Sequence, residues 1–127
     1  MSEVRKGYYY LPTDEWVKVD GDTATIGISD YAQHHLGDIV FVEMKDKNTV
    51  LKKGDVLTTI ESVKSASDIY SPLSGTIIDM NPTLDQDTAL VNTSPYDEGW
   101  IVKIKISNPM EIKELMNDQD YQNYRKE

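Results

Sequence analysis

Short runs of alternating apolar and polar residues, broken every few positions by turn formers, constrain this chain more than any other feature. Glu15-Trp16-Val17-Lys18-Val19-Asp20 alternates with period two, Gly21-Asp22 follows as a tight turn, and Thr23-Ala24-Thr25-Ile26-Gly27-Ile28 runs back, which predicts a hairpin. Ile39 to Met44 is a β-rich run, and Lys52-Lys53-Gly54-Asp55 turns the chain into a strand at Val56 to Glu61. Ile69-Tyr70-Ser71 precedes Pro72, and Ser74-Gly75 leads into Thr76-Ile77-Ile78. Trp100 to Ile106 is the clearest alternating strand. Strands this short and this close cannot each bury a core alone, so they predict a sandwich or a barrel.

Helices are few. Asp30 to Leu36 reads as a short helix, with Asp30 as N-cap, Gln33 as its capping-box partner and Gly37 just past the end. Asn108 reads as the N-cap of a C-terminal helix, Pro109 as its first residue and Glu111 as the capping-box acid, which puts Ile112, Leu115 and Met116 on one face. Asp118 reads as the cap of a last turn holding Tyr121 and Tyr124, and one short element is expected near Leu84 to Val91. Gly37-Asp38-Ile39-Val40 is echoed by Gly54-Asp55-Val56-Leu57; a repeated β unit would produce this, but four residues are little evidence of one.

Composition narrows the function. A chain of 127 residues predicts one domain over 1–127, burying roughly two-thirds of its unfolded surface. The 22 acids against 13 bases leave a net charge of −9, which works against nucleic acid. Without Cys there is no disulfide, zinc thiolate, iron–sulfur cluster or cysteine nucleophile. No apolar run is long enough to span a membrane, and the N-terminal residues lack a secretory core segment, so a cytoplasmic protein is expected.

The usual catalytic groupings are missing: no Gly-x-Ser-x-Gly elbow and no phosphate loop. His34 and His35, adjacent on a helix, point about 100° apart and cannot share one metal, so no metal site is predicted; lining a groove suits one of them better than a metal does, though spacing alone does not require it. Carboxylate pairs such as Asp14-Glu15 and Asp97-Glu98 read as solvated surface. Lys64 is different. It falls between two short strands, at a hairpin tip, among Ser62, Val63, Ser65 and Ala66, with Glu61 three residues before and Asp68 four after. Small neighbours leave its amine open to a modifying enzyme, and flanking acids would give that enzyme a charged grip; by spacing alone, a solvated turn lysine is the preferred reading.

The run Glu61-Ser62-Val63-Lys64-Ser65-Ala66-Ser67-Asp68-Ile69-Tyr70-Ser71-Pro72-Leu73-Ser74-Gly75 resembles the lipoyl-attachment signature of the glycine cleavage system H protein family. Further motifs follow in the family's order. Asp14-Glu15-Trp16-Val17 resembles its His-Glu-Trp-Val motif, with Asp14 in place of His. Ala24 to Gln33 with Leu36 to Glu43 resembles its second block, and Val91 to Trp100 its third. Val63 and Ser65 replace the two methionines that flank a biotinyl lysine, and the Asp-Lys-Ala and long linker of oxoacid dehydrogenase lipoyl domains are missing.

The resemblance implies a mainly β barrel-sandwich hybrid, with the helix near 30–36 and a C-terminal helix. It implies a non-enzymatic carrier with lipoate bound covalently to Lys64, which shuttles an aminomethyl intermediate of glycine decarboxylation. Its implied partners are a pyridoxal-phosphate glycine decarboxylase, a tetrahydrofolate-dependent aminomethyltransferase, dihydrolipoamide dehydrogenase, and the lipoyl/octanoyl transferase or lipoate ligase that modifies Lys64. Glu61, Ser62, Val63, Ser65 and Asp68 would form the hairpin which that modifying enzyme recognises. Thr13, Glu15, His35 and Asp68 are implied to line the cleft that holds the loaded arm. The charge of −9 would steer the carrier towards basic patches on its partners. Met1 close to the first motif points to a bacterial cytoplasm. Two alternatives stay open: a related lipoyl protein of lipoyl transfer or sulfur metabolism, and an unmodified interaction module. In the carrier reading the reactive sulfurs arrive on Lys64, and with no Cys in the chain none can trap the lipoyl disulfide.

Overall fold

The computed structural model describes residues 2–126. Ten strands form two sheets. The larger runs in the order β10-β1-β2-β3-β9-β8-β5, from β1 (Tyr9–Tyr10), β2 (Glu15–Asp20), β3 (Thr23–Ile28), β5 (Val50–Leu51), β8 (Gly75–Met80), β9 (Val102–Ile106) and β10 (Met116–Asn117). The smaller is β4-β6-β7, from β4 (Ile39–Val42), β6 (Val56–Ser62) and β7 (Ala66–Tyr70). Every pairing is antiparallel. Three short helices accompany them: α1 (Asp30–Leu36), α2 (Ala89–Thr93) and α3 (Asp118–Tyr124).

The predicted hairpin forms in full register, Glu15 opposite Ile28 and Asp20 opposite Thr23. In β9 the alternation becomes burial: Val102, Ile104 and Ile106 face inward while Lys103 and Lys105 do not. These side chains join Val17, Ile26, Leu57, Ile60, Leu73 and Ile77 in an aliphatic core drawn from both sheets. A second, aromatic cluster of Tyr10, Trp16, Tyr96 and Tyr121 packs beside it. Tyr10 and Tyr121 stack with their ring centres 4.1 Å apart, so α3 is fastened to β1. Among the described residues no helix is long and apolar enough to cross a membrane.

Some local expectations fail for identifiable reasons. The N-cap of α1 is Ser29, not Asp30. The Ser29 hydroxyl accepts from the Ala32 N–H at 3.2 Å, while Asp30 takes the Gln33 side-chain amide at 2.8 Å instead of forming a capping box with it. In the C-terminal region Asn108 does cap the Met110 N–H at 3.2 Å. Glu111, however, reaches across to Ser74, accepting from its N–H at 2.8 Å and its hydroxyl at 2.9 Å. The first segment is therefore only a 3-10 turn, Pro109–Glu114. The chain becomes extended at Leu115, and Met116 joins β10 rather than a helical face. Asn117, not Asp118, caps α3. The element expected near Leu84 to Val91 is two pieces, a 3-10 turn at Pro82–Asp85 and α2.

The four-residue echo has a structural counterpart. Gly37 and Gly54 both take positive φ, 78° and 92°, just before β4 and β6, which pair with each other. Gly27 has a steric role instead. It lies opposite Trp16, and a Cβ there would stand 2.7 Å from the indole, whose Nε1 donates to the Pro95 carbonyl at 3.0 Å. Gly27→Ala must displace a buried ring, and we expect it to cost about 1–3 kcal/mol. A lower denaturant midpoint at unchanged slope is the expected signature; an unshifted midpoint would contradict the packing argument.

Candidate functional site: a hairpin lysine beside a cleft

The turn between β6 and β7 is built by Ser62. Its N–H donates to the Ser65 carbonyl at 2.8 Å, and its hydroxyl accepts from the N–H groups of Lys64 and Ser65, each at 3.2 Å. Ser62 is buried, so it shapes the turn and offers little surface to a partner. The Val63 N–H donates to the Asp38 carbonyl at 3.0 Å, which pins the tip to the segment after α1. Val63, Lys64 and Ser65 stand exposed. Glu61 and Asp68 lie on one outer face of the small sheet: Asp68 is opposite Thr59 and accepts from its hydroxyl at 3.0 Å, and Glu61 is two residues along β6 from Thr59.

Lys64 is exposed but not unattached. Its Nζ donates to the His35 carbonyl at 3.4 Å, at the C-terminal end of α1, where the helix dipole favours a cation. Gly37 makes this approach feasible. A Cβ there would come within 3.2 Å of Lys64 Cε, and the backbone φ of 78° favours glycine independently.

Beyond His35 opens a cleft of about 360 Å³. Its walls come from the turn before β2 (Thr13, Asp14), from α1 (His35) and from β7 (Asp68), over apolar side chains of Ile28, Ala32, Leu36 and Ile69. Thr13, His35 and Asp68 thus line one cleft. Glu15 lies beneath the wall, buried, and its carboxylate accepts from the Thr13 hydroxyl and from the Tyr70 N–H at 2.7 Å. The reading of Asp14-Glu15 as solvated surface is therefore corrected. Burial pushes the Glu15 carboxyl above the ordinary carboxylate range, although both hydrogen bonds favour its ionised form. Asp97 does stay exposed, in a fork with Arg5 that holds its carboxyl below the usual value. His34 faces away, with Nε2 3.5 Å from Asp30, and among the described residues no cluster of potential ligands could hold a metal.

Arg125 completes the cleft wall, and no motif in the sequence points to it. Its Nε and Nη2 bind the two oxygens of Asp14 at 2.8 and 2.9 Å, and Nη2 also donates to the Pro12 carbonyl at 3.1 Å. Asp14 holds the guanidinium above its ordinary value. The 111 positions separating the pair leave no local signal of it.

Glu15 generates a signed prediction. A carboxyl whose folded pKa is raised stabilises fully below the ordinary pKa and loses that contribution as pH rises through the folded value. Glu15→Gln can still donate to Thr13 and accept from Tyr70, so its stability relative to the parent should rise between acid and neutral pH. Glu15→Ala strands the Tyr70 N–H and should cost about 1–3 kcal/mol. Chemical denaturation at several pH values reads both, and parallel pH profiles for Glu15→Gln and the parent would refute the burial argument.

Two small β-sheets with one lysine at a hairpin tip define a carrier domain of the lipoyl and biotinyl class. The family model described as glycine cleavage H-protein matches residues 8–127. A mitochondrial protein of Schizosaccharomyces pombe assigned as a glycine cleavage system H protein is 49% identical over 119 residues, covering 94% of this chain and 70% of the relative. The glycine cleavage system H protein of Xanthobacter autotrophicus is 46% identical over 115 residues, 91% of this chain and 92% of the relative. The crystal structure of a glycine cleavage system H protein from Mycobacterium marinum superposes with a TM-score of 0.86 at 28% identity, covering 94% and 97%. The chain belongs to the glycine cleavage H-protein family. It is a lipoyl carrier of the glycine cleavage system and not an enzyme; the family carries lipoate on a lysine and works with the enzymes of that system.

Proposed function

We propose that Lys64 is the lysine that carries the lipoyl group, and that the chain acts as one carrier domain over its whole length. The observation that supports this most is the contact of Lys64 Nζ with the His35 carbonyl, since His35 is also a wall of the cleft. An arm rooted at Lys64 therefore starts at the cleft's edge. The residues suit such an arm: Ile28, Ala32, Leu36 and Ile69 offer an apolar bed for an aliphatic chain, and Thr13, His35 and Asp68 offer polar groups for its end. When bound, the lipoyl group supplies a disulfide that can accept a group at sulfur, release it and be regenerated by oxidation.

The chain's own residues have defined parts. Ser62 and the Val63–Asp38 bond hold the tip in shape. Asp68, which has Thr59 as its hydrogen-bond partner, supplies negative charge for a cationic amine at the rim. Glu15 fixes the wall by joining Thr13 to Tyr70. The partners we assign are the pyridoxal-phosphate glycine decarboxylase, the tetrahydrofolate-dependent aminomethyltransferase and dihydrolipoamide dehydrogenase. A lipoyl/octanoyl transferase or lipoate ligase would modify Lys64, gripping Glu61 and Asp68 on their shared face beside Val63 and Ser65. We place this traffic in the bacterial cytoplasm. Tethering the group keeps it at high effective concentration for each partner in turn.

Intact mass spectrometry after expression with lipoate tests the assignment. One lipoyl adduct is expected, absent in Lys64→Ala, together with loss of turnover in a reconstituted system with glycine decarboxylase. An adduct that survives Lys64→Ala would overturn it.

A further inference from the structure

Arg125 has a feature that the carrier reading does not use. Asp14 occupies Nε and Nη2, and the Pro12 carbonyl takes a second bond from Nη2. Among the described residues nothing accepts a hydrogen bond from Nη1, although the guanidinium lines the cleft and its side chain is 25% exposed. The group is also fixed in place. Its central carbon stands 4.4 Å from the Tyr31 ring centre and 4.7 Å from that of Tyr124. Tyr31 in turn contacts the His35 ring at 4.2 Å, so one row of side chains runs from Arg125 to the residue that touches Lys64. A fixed cation with uncommitted N–H donors in the wall of a cleft is a receptor for an anion or a soft acceptor.

Resting on the assignment of the arm to Lys64, we propose that Arg125 receives the sulfur end of the reduced arm, donating from Nη1 to a thiolate. The charge pattern of the cleft fits this division. Asp68 on β7 suits a cationic amine, and Arg125 on the α3 side is the group in the wall that suits a negative sulfur. The other titratable groups around the site are Asp14, whose oxygens are spent on Arg125 and Tyr121; Glu15, buried beneath; Tyr31 and His35 from α1; Tyr70 from β7; and Tyr121 and Tyr124 from α3. Because Asp14 offsets much of the guanidinium charge, the sulfur is met by directed N–H donors more than by a net field. The expected effect is therefore modest.

The test uses the lipoylated protein, with the adduct at Lys64 first established by mass. A result against Arg125 is thereby kept apart from failure of the carrier reading. The arm is reduced with a phosphine and desalted, and its alkylation by iodoacetamide is followed against pH. The chain has no Cys, so the arm holds the only thiols in the sample. Arg125→Met should slow alkylation near pH 7 about three- to tenfold and move the rise of the profile to higher pH, as for thiols that lose a neighbouring cation. Arg125→Lys, which keeps a cation and N–H donors, should fall between the two. Asp68→Asn, which removes the opposing charge, should act in the other direction and needs no change at the Arg125 packing site. Lys47→Met, which removes one positive charge from the exposed loop before β5, should leave the profile where it was. Superimposable profiles for Arg125→Met and the parent would overturn the proposal. So would equal displacement by Arg125→Met and Arg125→Lys, which would mean that lost packing and not the donor is responsible.

Discussion

Asp14 joins three parts of the chain that the sequence keeps far apart. Its backbone has φ of 81°, a conformation that costs a side-chain-bearing residue on the order of 1 kcal/mol or more and that Asn and Asp tolerate best. In that conformation its carbonyl accepts from the Ser29 N–H at 2.8 Å, just ahead of α1. Its carboxylate meanwhile takes the Tyr121 hydroxyl at 2.7 Å and the fork of Arg125, both from the C-terminal segment. Ser29 closes the loop, since its hydroxyl lies 2.7 Å from Tyr121 and also caps α1. The position of α1 thus depends on a polar network centred on one turn residue, and α1 carries the two features that meet Lys64, the His35 carbonyl and Gly37. Side chains one-quarter and one-seventh exposed leave the Arg125–Asp14 pair partly screened, so its role in geometry exceeds its worth in stability.

The same network bears on Asp14, which stands where the family motif has His. A neutral imidazole at position 14 could accept only one hydrogen bond. Asp14 accepts three, from a phenol and from two guanidinium nitrogens.

What was legible follows from the range of the interactions. The hairpin of β2 and β3 could be read because period-two alternation and a Gly-Asp turn are local. The lysine at the tip of β6 and β7 could be read because small residues, flanking acids and turn formers surround it within a dozen positions. The cleft was legible only through the family pattern, since Thr13, His35 and Asp68 come from three separate elements. Glu15 shows the limit of composition: among 22 acids it reads as surface, yet it is buried because Thr13 and Tyr70 supply its hydrogen bonds. The C-terminal segment departs from the helix expected at its start for a related reason. Glu111 is a sound capping acid by spacing, and it was drawn away by Ser74, 37 residues earlier. Arg125 was out of reach entirely, because nothing near it in sequence announces Asp14.

Placing the lysine against the end of α1 has a consequence for the modification proposed at Lys64. An ammonium at a helix C-terminus gains from the partial negative charge of the last carbonyls, typically a few tenths to 1 kcal/mol at an exposed position. The Lys64 contact with the His35 carbonyl is of that kind, and at 3.4 Å it is weak. An amide at Nζ carries no positive charge and keeps one N–H, so acylation removes most of that attraction without creating a buried unpaired group. The unmodified amine is thus held close to the surface by a bond cheap enough for a modifying enzyme to break. In the proposed acylated form the root of the arm would lose the charge that held it, at a residue that still stands beside the cleft. Gly37 eases the unmodified contact, since a Cβ there would stand 3.2 Å from Lys64 Cε.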